Sequence, residues 1–131
     1  MVDAVMAAQH GAAARTRSLH ELVADDTAID SDGAAGLTFE ISRSVAIDGR
    51  NGVQMAILLY ALTATNITLQ LEVSLDGHNW APQGDTQSLT AIGRKIFAVD
   101  TAIAARFARI KFTLTGTGKA IFKAWLVVSQ Q

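Results

Sequence analysis

Ile67-Thr68-Leu69-Gln70-Leu71-Glu72-Val73-Ser74-Leu75-Asp76-Gly77 carries the clearest structural signal in the chain. Ile67, Leu69, Leu71, Val73 and Leu75 alternate with Thr68, Gln70, Glu72 and Ser74. A period of two places the apolar side chains on one face of a pleated strand and the polar ones on the other. Asp76-Gly77 then reads as a hairpin-type turn that ends the strand.

The same period extends to both sides. Upstream, Leu37, Phe39, Ile41, Val45 and Ile47 alternate with Thr38, Glu40, Ser42, Ser44 and Ala46, with Arg43 interrupting the apolar face. Asp48-Gly49-Arg50-Asn51-Gly52 is a turn signal. Downstream, Lys95 to Val99 reads as a strand, and Ala108, Ile110, Phe112 and Leu114 face away from Arg109, Lys111, Thr113 and Thr115. After Gly116-Thr117-Gly118, the residues Phe122, Ala124, Leu126 and Val128 form a last apolar face. Short strands punctuated by Gly, Asn and Asp, with no long helix, indicate an all-β antiparallel sandwich, a jelly roll of about eight strands.

The run Val53–Thr63 departs from this pattern. Val53, Met55, Ile57, Leu59 and Ala61 make one apolar face, and Ala56, Leu58, Tyr60 and Leu62 make another. A strand of an antiparallel sandwich normally shows water one polar face. The second face therefore calls for a cover, either the N-terminal arm or a neighbouring subunit; a buried helix is the weaker alternative for this run.

The chain divides near Gly36 into an alanine-rich arm, residues 1–35, and a sandwich domain, residues 36–131. Ser18-Leu19-His20-Glu21 has capping-box spacing ahead of Leu22 and Val23 and points to one short helix in the arm. The arm carries two basic and six acidic side chains, a balance of −4, whereas residues 36–131 carry nine basic and six acidic, a balance of +3. Glu21, Asp25, Asp26, Asp30 and Asp32 thus offer the charge opposite to that of the basic stretch from Arg94 to Lys123.

Composition limits the function classes. The 131 residues suit one domain able to bury a core without staples. Half of them are hydrophobic and only 18% are charged, a shortage that implies apolar surface hidden by something else. With no cysteine, disulfides and zinc–thiolate sites are excluded. The pI near 6.3 makes nucleic acid an improbable partner. Met1-Val2-Asp3 has no early positive charge, so no signal peptide is expected. The longest apolar run, Ala56–Leu62, is too short for a membrane helix of about 20 residues. Cytoplasmic assembly, with a final place on a virion or particle surface, is the expected location.

No residue pattern supports catalysis. His10, His20 and His78 lack metal-ligand spacing. Gly116-Thr117-Gly118-Lys119 lacks the first glycine of a phosphate-binding loop, and Ala120 stands where that loop carries a hydroxyl, so a hairpin turn is expected. Asn66-Ile67-Thr68 is formally a glycosylation sequon. No cofactor or metal is expected.

Leu71-Glu72-Val73-Ser74-Leu75-Asp76-Gly77-His78-Asn79-Trp80, followed by Ala105-Arg106-Phe107-Ala108-Arg109-Ile110-Lys111-Phe112, resembles the discoidin-like (galactose-binding-like) jelly rolls. In that family a strand ends in an S-x-D-G-x-x-W turn, and a later strand alternates an aromatic residue with an arginine. The likeness covers about half of the chain and is shared with small β-sandwich proteins that decorate or cement tailed-phage particles. It implies a jelly-roll fold and a binding role; the loops that hold sugar or lipid in the family have no counterpart here. Two functions follow. The first is a structural protein that self-associates or decorates a protein shell, with Leu58, Tyr60, Leu62, Arg109, Lys111 and Lys123 at its interface and the arm taking part. The second is a carbohydrate-binding module with Trp80 as the stacking platform.

Overall fold

In the computed structural model, which describes residues 19–31, 38–47, 50, 52–99 and 103–129, the alternating run becomes a strand whose Ile67, Leu69 and Leu71 are fully buried. The strands in chain order are β1 (Leu19–Ser31), β2 (Thr38–Ile41), β3 (Val45–Ala46), β4 (Gly52–Leu62), β5 (Asn66–Ser74), β6 (Ala81–Leu89), β7 (Gly93–Ala98), β8 (Phe107–Thr115) and β9 (Gly118–Ser129). Every pairing between them is antiparallel. One sheet, here sheet A, has the order β1-β9-β4-β7; the other, sheet B, has the order β2-β8-β5-β6 with β3 also on β8. Counting β2 and β3 as one interrupted strand, this is the strand order of an eight-stranded jelly roll.

The core lies between the two inner faces. Met55, Ile57 and Leu59 of β4 and Phe122, Ala124 and Leu126 of β9 meet Leu69 and Leu71 of β5 and Ile110, Phe112 and Leu114 of β8. Phe112 and Phe122 bridge the sheets with ring centroids 4.4 Å apart and planes tilted by 47°. The hairpin between β8 and β9 needs both of its glycines. Gly118 has φ +140°, and a Cβ there would lie 2.6 Å from the Ala64 nitrogen. Gly116 has φ +91° and would collide with the Thr65 side chain.

The structure corrects the expected helix. Leu19–Ser31, where the capping-box spacing pointed to helix, is strand β1, paired along its length with β9. A helix there would leave the open edge of β9 without partners for its backbone N–H and C=O groups. Two bulges, between Leu22 and Ala24 and between Ala24 and Thr27, break the strict alternation of β1. Val23 and Ala24 are both buried in consequence, while Asp25 and Asp26 (φ +44°) reach solvent. Sheet A thus draws an edge strand from the segment read as an arm, and Gly36 itself lies outside the described residues.

A second correction concerns Phe39 and Ile41. Phe39 pairs with Thr113 and Ile41 with Lys111, so both point to the outer side of sheet B, and Phe39 is 54% exposed. Between Ile41 and Val45 the chain has three residues, opposite the two between Lys111 and Ala108. That one extra residue reverses the facing, returning Val45 and Ile47 to the core. Ser42 holds the bulge: its N–H donates to the Ile110 carbonyl at 2.9 Å, and its Oγ accepts from the Ile110 N–H at 2.9 Å. Arg43 turns across to the other sheet, where its guanidinium donates to the Leu22 carbonyl at 2.6 Å and lies 3.5 Å from Glu21.

Candidate assembly surface

The outer face of sheet A is built from residues that alternate with the core. On β9 these are Ile121, Lys123, Trp125 and Val127; on β4 they are Gln54, Ala56 and Leu58. Strand register aligns them into rows. Leu22, Trp125, Ala56 and Ile96 form one row across all four strands, without a polar side chain. The next row runs from the β1 bulge with Asp25 and Asp26 through Lys123 and Leu58 to Arg94. Ala28, Ile121 and Ala61 make a third, beside Tyr60. Ile96 is 63% and Tyr60 44% exposed, and none of the described strands lies over this face.

Charge on the face is sorted by edge. At the β1 edge, the Lys123 ammonium bonds the Asp25 carboxylate at 2.9 Å and lies 3.5 Å from Asp26. The hydrogen bond to Asp25 holds the Lys123 amine above its ordinary pKa. One lysine against two carboxylates leaves this edge acidic. At the β7 edge, Arg94 is exposed and has no ion-pair partner among the described residues.

The structure brings together only part of the interface expected from sequence. Leu58, Tyr60 and Lys123 share the outer face of sheet A. Tyr60 is the extra residue of a bulge between Leu59 and Ala61, which turns Leu62 opposite Ala120 and packs it against the core. Arg109 and Lys111 lie on the outer face of sheet B, opposite Glu72 and Gln70. The Arg109 Nε donates to Glu72 at 2.8 Å while its guanidinium covers the Trp80 ring, 4.1 Å from the centroid. Lys111 sits 4.6 Å from the centroid of Phe39. Leu22, Ile96 and Trp125 were missed. Trp125 was within reach, since it shares one alternation with Ile121 and Lys123; Leu22 and Ile96 become neighbours of that face only once the strands pair.

A cleft of about 370 Å³ lies at the β5–β6 end, lined by Val73, Leu75, Ala81, Ala104 and Ala105 together with Ser74, Asp76 and Asn79. Its one charged residue serves its own turn. The Asp76 carboxylate accepts from the backbone N–H groups of Asn79 and His78, both at 2.8 Å, and from the Asn79 side chain at 2.7 Å. These bonds hold its pKa well below the usual carboxylate range. The S-x-D-G turn is thus a backbone device, with Gly77 at φ +80°. Among the described residues no three His, Asp or Glu side chains converge on a common point, and no helix is long and apolar enough to cross a membrane.

No protein-family model matches the chain, and no curated protein sequence matches it. Solved structures do. The Gx strain structure of infectious bursal disease virus matches at a TM-score of 0.60 and 14% identity, over 88% of this chain and 33% of that one. A D431N VP2 protein of the same virus, from derived T=1 particles, matches at 0.64 and 11%, over 89% and 32%. The PBSX exported protein XepA matches at 0.63 and 13%, over 86% and 37%. What the chain shares with them is the jelly-roll β-sandwich fold. It spans about a third of the length of each.

Proposed function

We propose that the chain is a non-enzymatic structural protein of a virion-like particle, a jelly roll that self-associates or decorates and stabilises a protein shell. The observation that carries this reading is the outer face of sheet A, with an uninterrupted apolar row bounded by charge. Burying a side chain such as Leu58 or Ile96 is worth roughly 1.5–3 kcal/mol, and a sandwich working alone would keep that face polar. The fold likeness to a VP2 protein from T=1 viral particles supports the particle setting. The arm takes part through β1, which supplies one edge of the face. The carbohydrate-binding alternative is less favoured, because Arg109 already covers one face of the Trp80 ring.

The test is whether the protein belongs to a particle. Particles from the source culture, purified on a density gradient and probed with antibody to this chain, should carry it in stoichiometric amount, and Leu58→Asp should release it. A chain that stays in the soluble fraction and is retained by immobilised polysaccharide would replace this reading with the sugar-binding one.

A further inference from the structure

The apolar face carries its own instructions for a partner. Along the row Leu22–Trp125–Ala56–Ile96, large and small side chains are arranged so that the second position is the bulkiest and the third the smallest. Along the next row the order is acidic, Lys123, Leu58, Arg94. Both rows become complementary when read against their own reverse.

We infer that the outer face of sheet A binds the same face of a second copy, about a two-fold axis parallel to the strands between β9 and β4. This rests on the assembly reading above and names the partner. A rotation about that axis keeps each row at its own height along the strands and reverses its order. Trp125 then lies over the partner copy's small Ala56, and Leu22 over its Ile96. Lys123 lays its methylene stem over Leu58, and Asp25 and Asp26 face Arg94. A two-fold across the strands would instead set β1 on β1 and oppose like charges, which is penalised. Stacked sheets sit about 10 Å apart, close enough for side chains of the two faces to interlock. The area is modest. Four strands about 4.8 Å apart, each contributing about eight residues at about 3.3 Å, give roughly 500 Å² per copy. The total of roughly 1,000 Å² stands at the lower bound for a specific interface, the size of a weak, reversible association.

Sedimentation velocity of the full chain between about 1 and 100 µM tests the inference. The wild type should form a concentration-dependent dimer. Ile96→Asp, an exposed edge-strand change, should give monomer with an unaltered far-UV circular dichroism spectrum. Arg94→Asp, and separately Asp25→Lys with Asp26→Asn (Asn tolerates the positive φ), should each weaken the dimer at least about tenfold, because like charges are then opposed at both symmetry-related contacts. Mixed one to one, those two variants should recover association to within about threefold of wild type, because each supplies the charge the other now needs. A mixture that stays monomeric overturns the two-fold. So does a dimer indifferent to Ile96→Asp, or a wild type that is monomeric at the highest concentration. In a monomer, protection of Trp125 from hydroxyl-radical labelling would assign the face to residues 1–18, while loss of particle binding by Ile96→Asp would assign it to a different shell protein. Either result overturns the self-pairing and leaves the particle role standing.

Discussion

Phe39 and Phe122 give the sharpest check on the register of the sandwich, because simple alternation assigns both to the core. Phe122 is fully buried and packed against Phe112, and truncating a buried Phe to Ala costs about 3–5 kcal/mol. Phe39 is 54% exposed on the outer face of sheet B. Scaling the roughly 1.5–3 kcal/mol of a fully buried side chain by the part of Phe39 that is covered leaves about 1 kcal/mol. The Lys111 ammonium over its ring adds about 0.5–1 kcal/mol at such a site. Phe39→Ala should thus cost about 1–2 kcal/mol and Phe122→Ala at least about 3 kcal/mol. Urea unfolding followed by tryptophan fluorescence separates the two, provided the slope of free energy against urea is unchanged. Equal losses for the two variants would place Phe39 inside, and the face-reversing bulge at Ser42–Ser44 would be wrong.

Leu58→Asp should leave the fold intact, since Lys123 and Arg94 flank it in register, while lowering self-association at least tenfold by sedimentation. Gly118→Ala should destabilise by about 1–3 kcal/mol or more in the same urea assay, from the left-handed backbone and the approach to Ala64. Gly93→Ala, with φ +141° but open space around it, should cost less. The Asp76 pKa is lowered on folding, so its contribution is full above the unfolded value of about 3.9 and is lost as pH falls towards the folded one. The stability gap between wild type and Asp76→Asn should therefore shrink below about pH 4 in thermal melts. A gap that widens on acidification would contradict the turn geometry.

Legibility in the sequence followed how local each signal was. β5, β8 and β9 were readable because their inner faces alternate without interruption, whereas β4 stood out as the run that departs from alternation, with both of its faces apolar. β1 was not. Its Ser-Leu-His-Glu spacing favours a helix start locally, and only the distant edge of β9 makes a strand the better partner for those backbone groups. The facing of β2 was hidden too, because a single extra residue near Arg43 cannot be counted until β8 lies opposite. The candidate surface divides in the same way. Leu58, Tyr60 and Lys123 could be suspected from composition and alternation, whereas Leu62 was turned inward by the Tyr60 bulge and Arg109 and Lys111 belong to the other sheet. Leu22 and Ile96 join the surface through registers that no single strand encodes.

The placement of β9 between β1 and β4 has a consequence for how the domain is made. Its partners were synthesised long before it, β1 near the start of the described chain and β4 near its middle. Until β9 has been translated, β1 has no ladder to join, and β4 has only β7 beside it. Sheet A therefore closes in one late event that joins the first described strand to the last. Such long-range closure is slow, and it leaves strand edges exposed to other chains in the meantime. A nascent copy beside others would pass through its most adhesive state just before β9 emerges, and the acidic bulge of β1 would then keep that edge from pairing with a neighbour's.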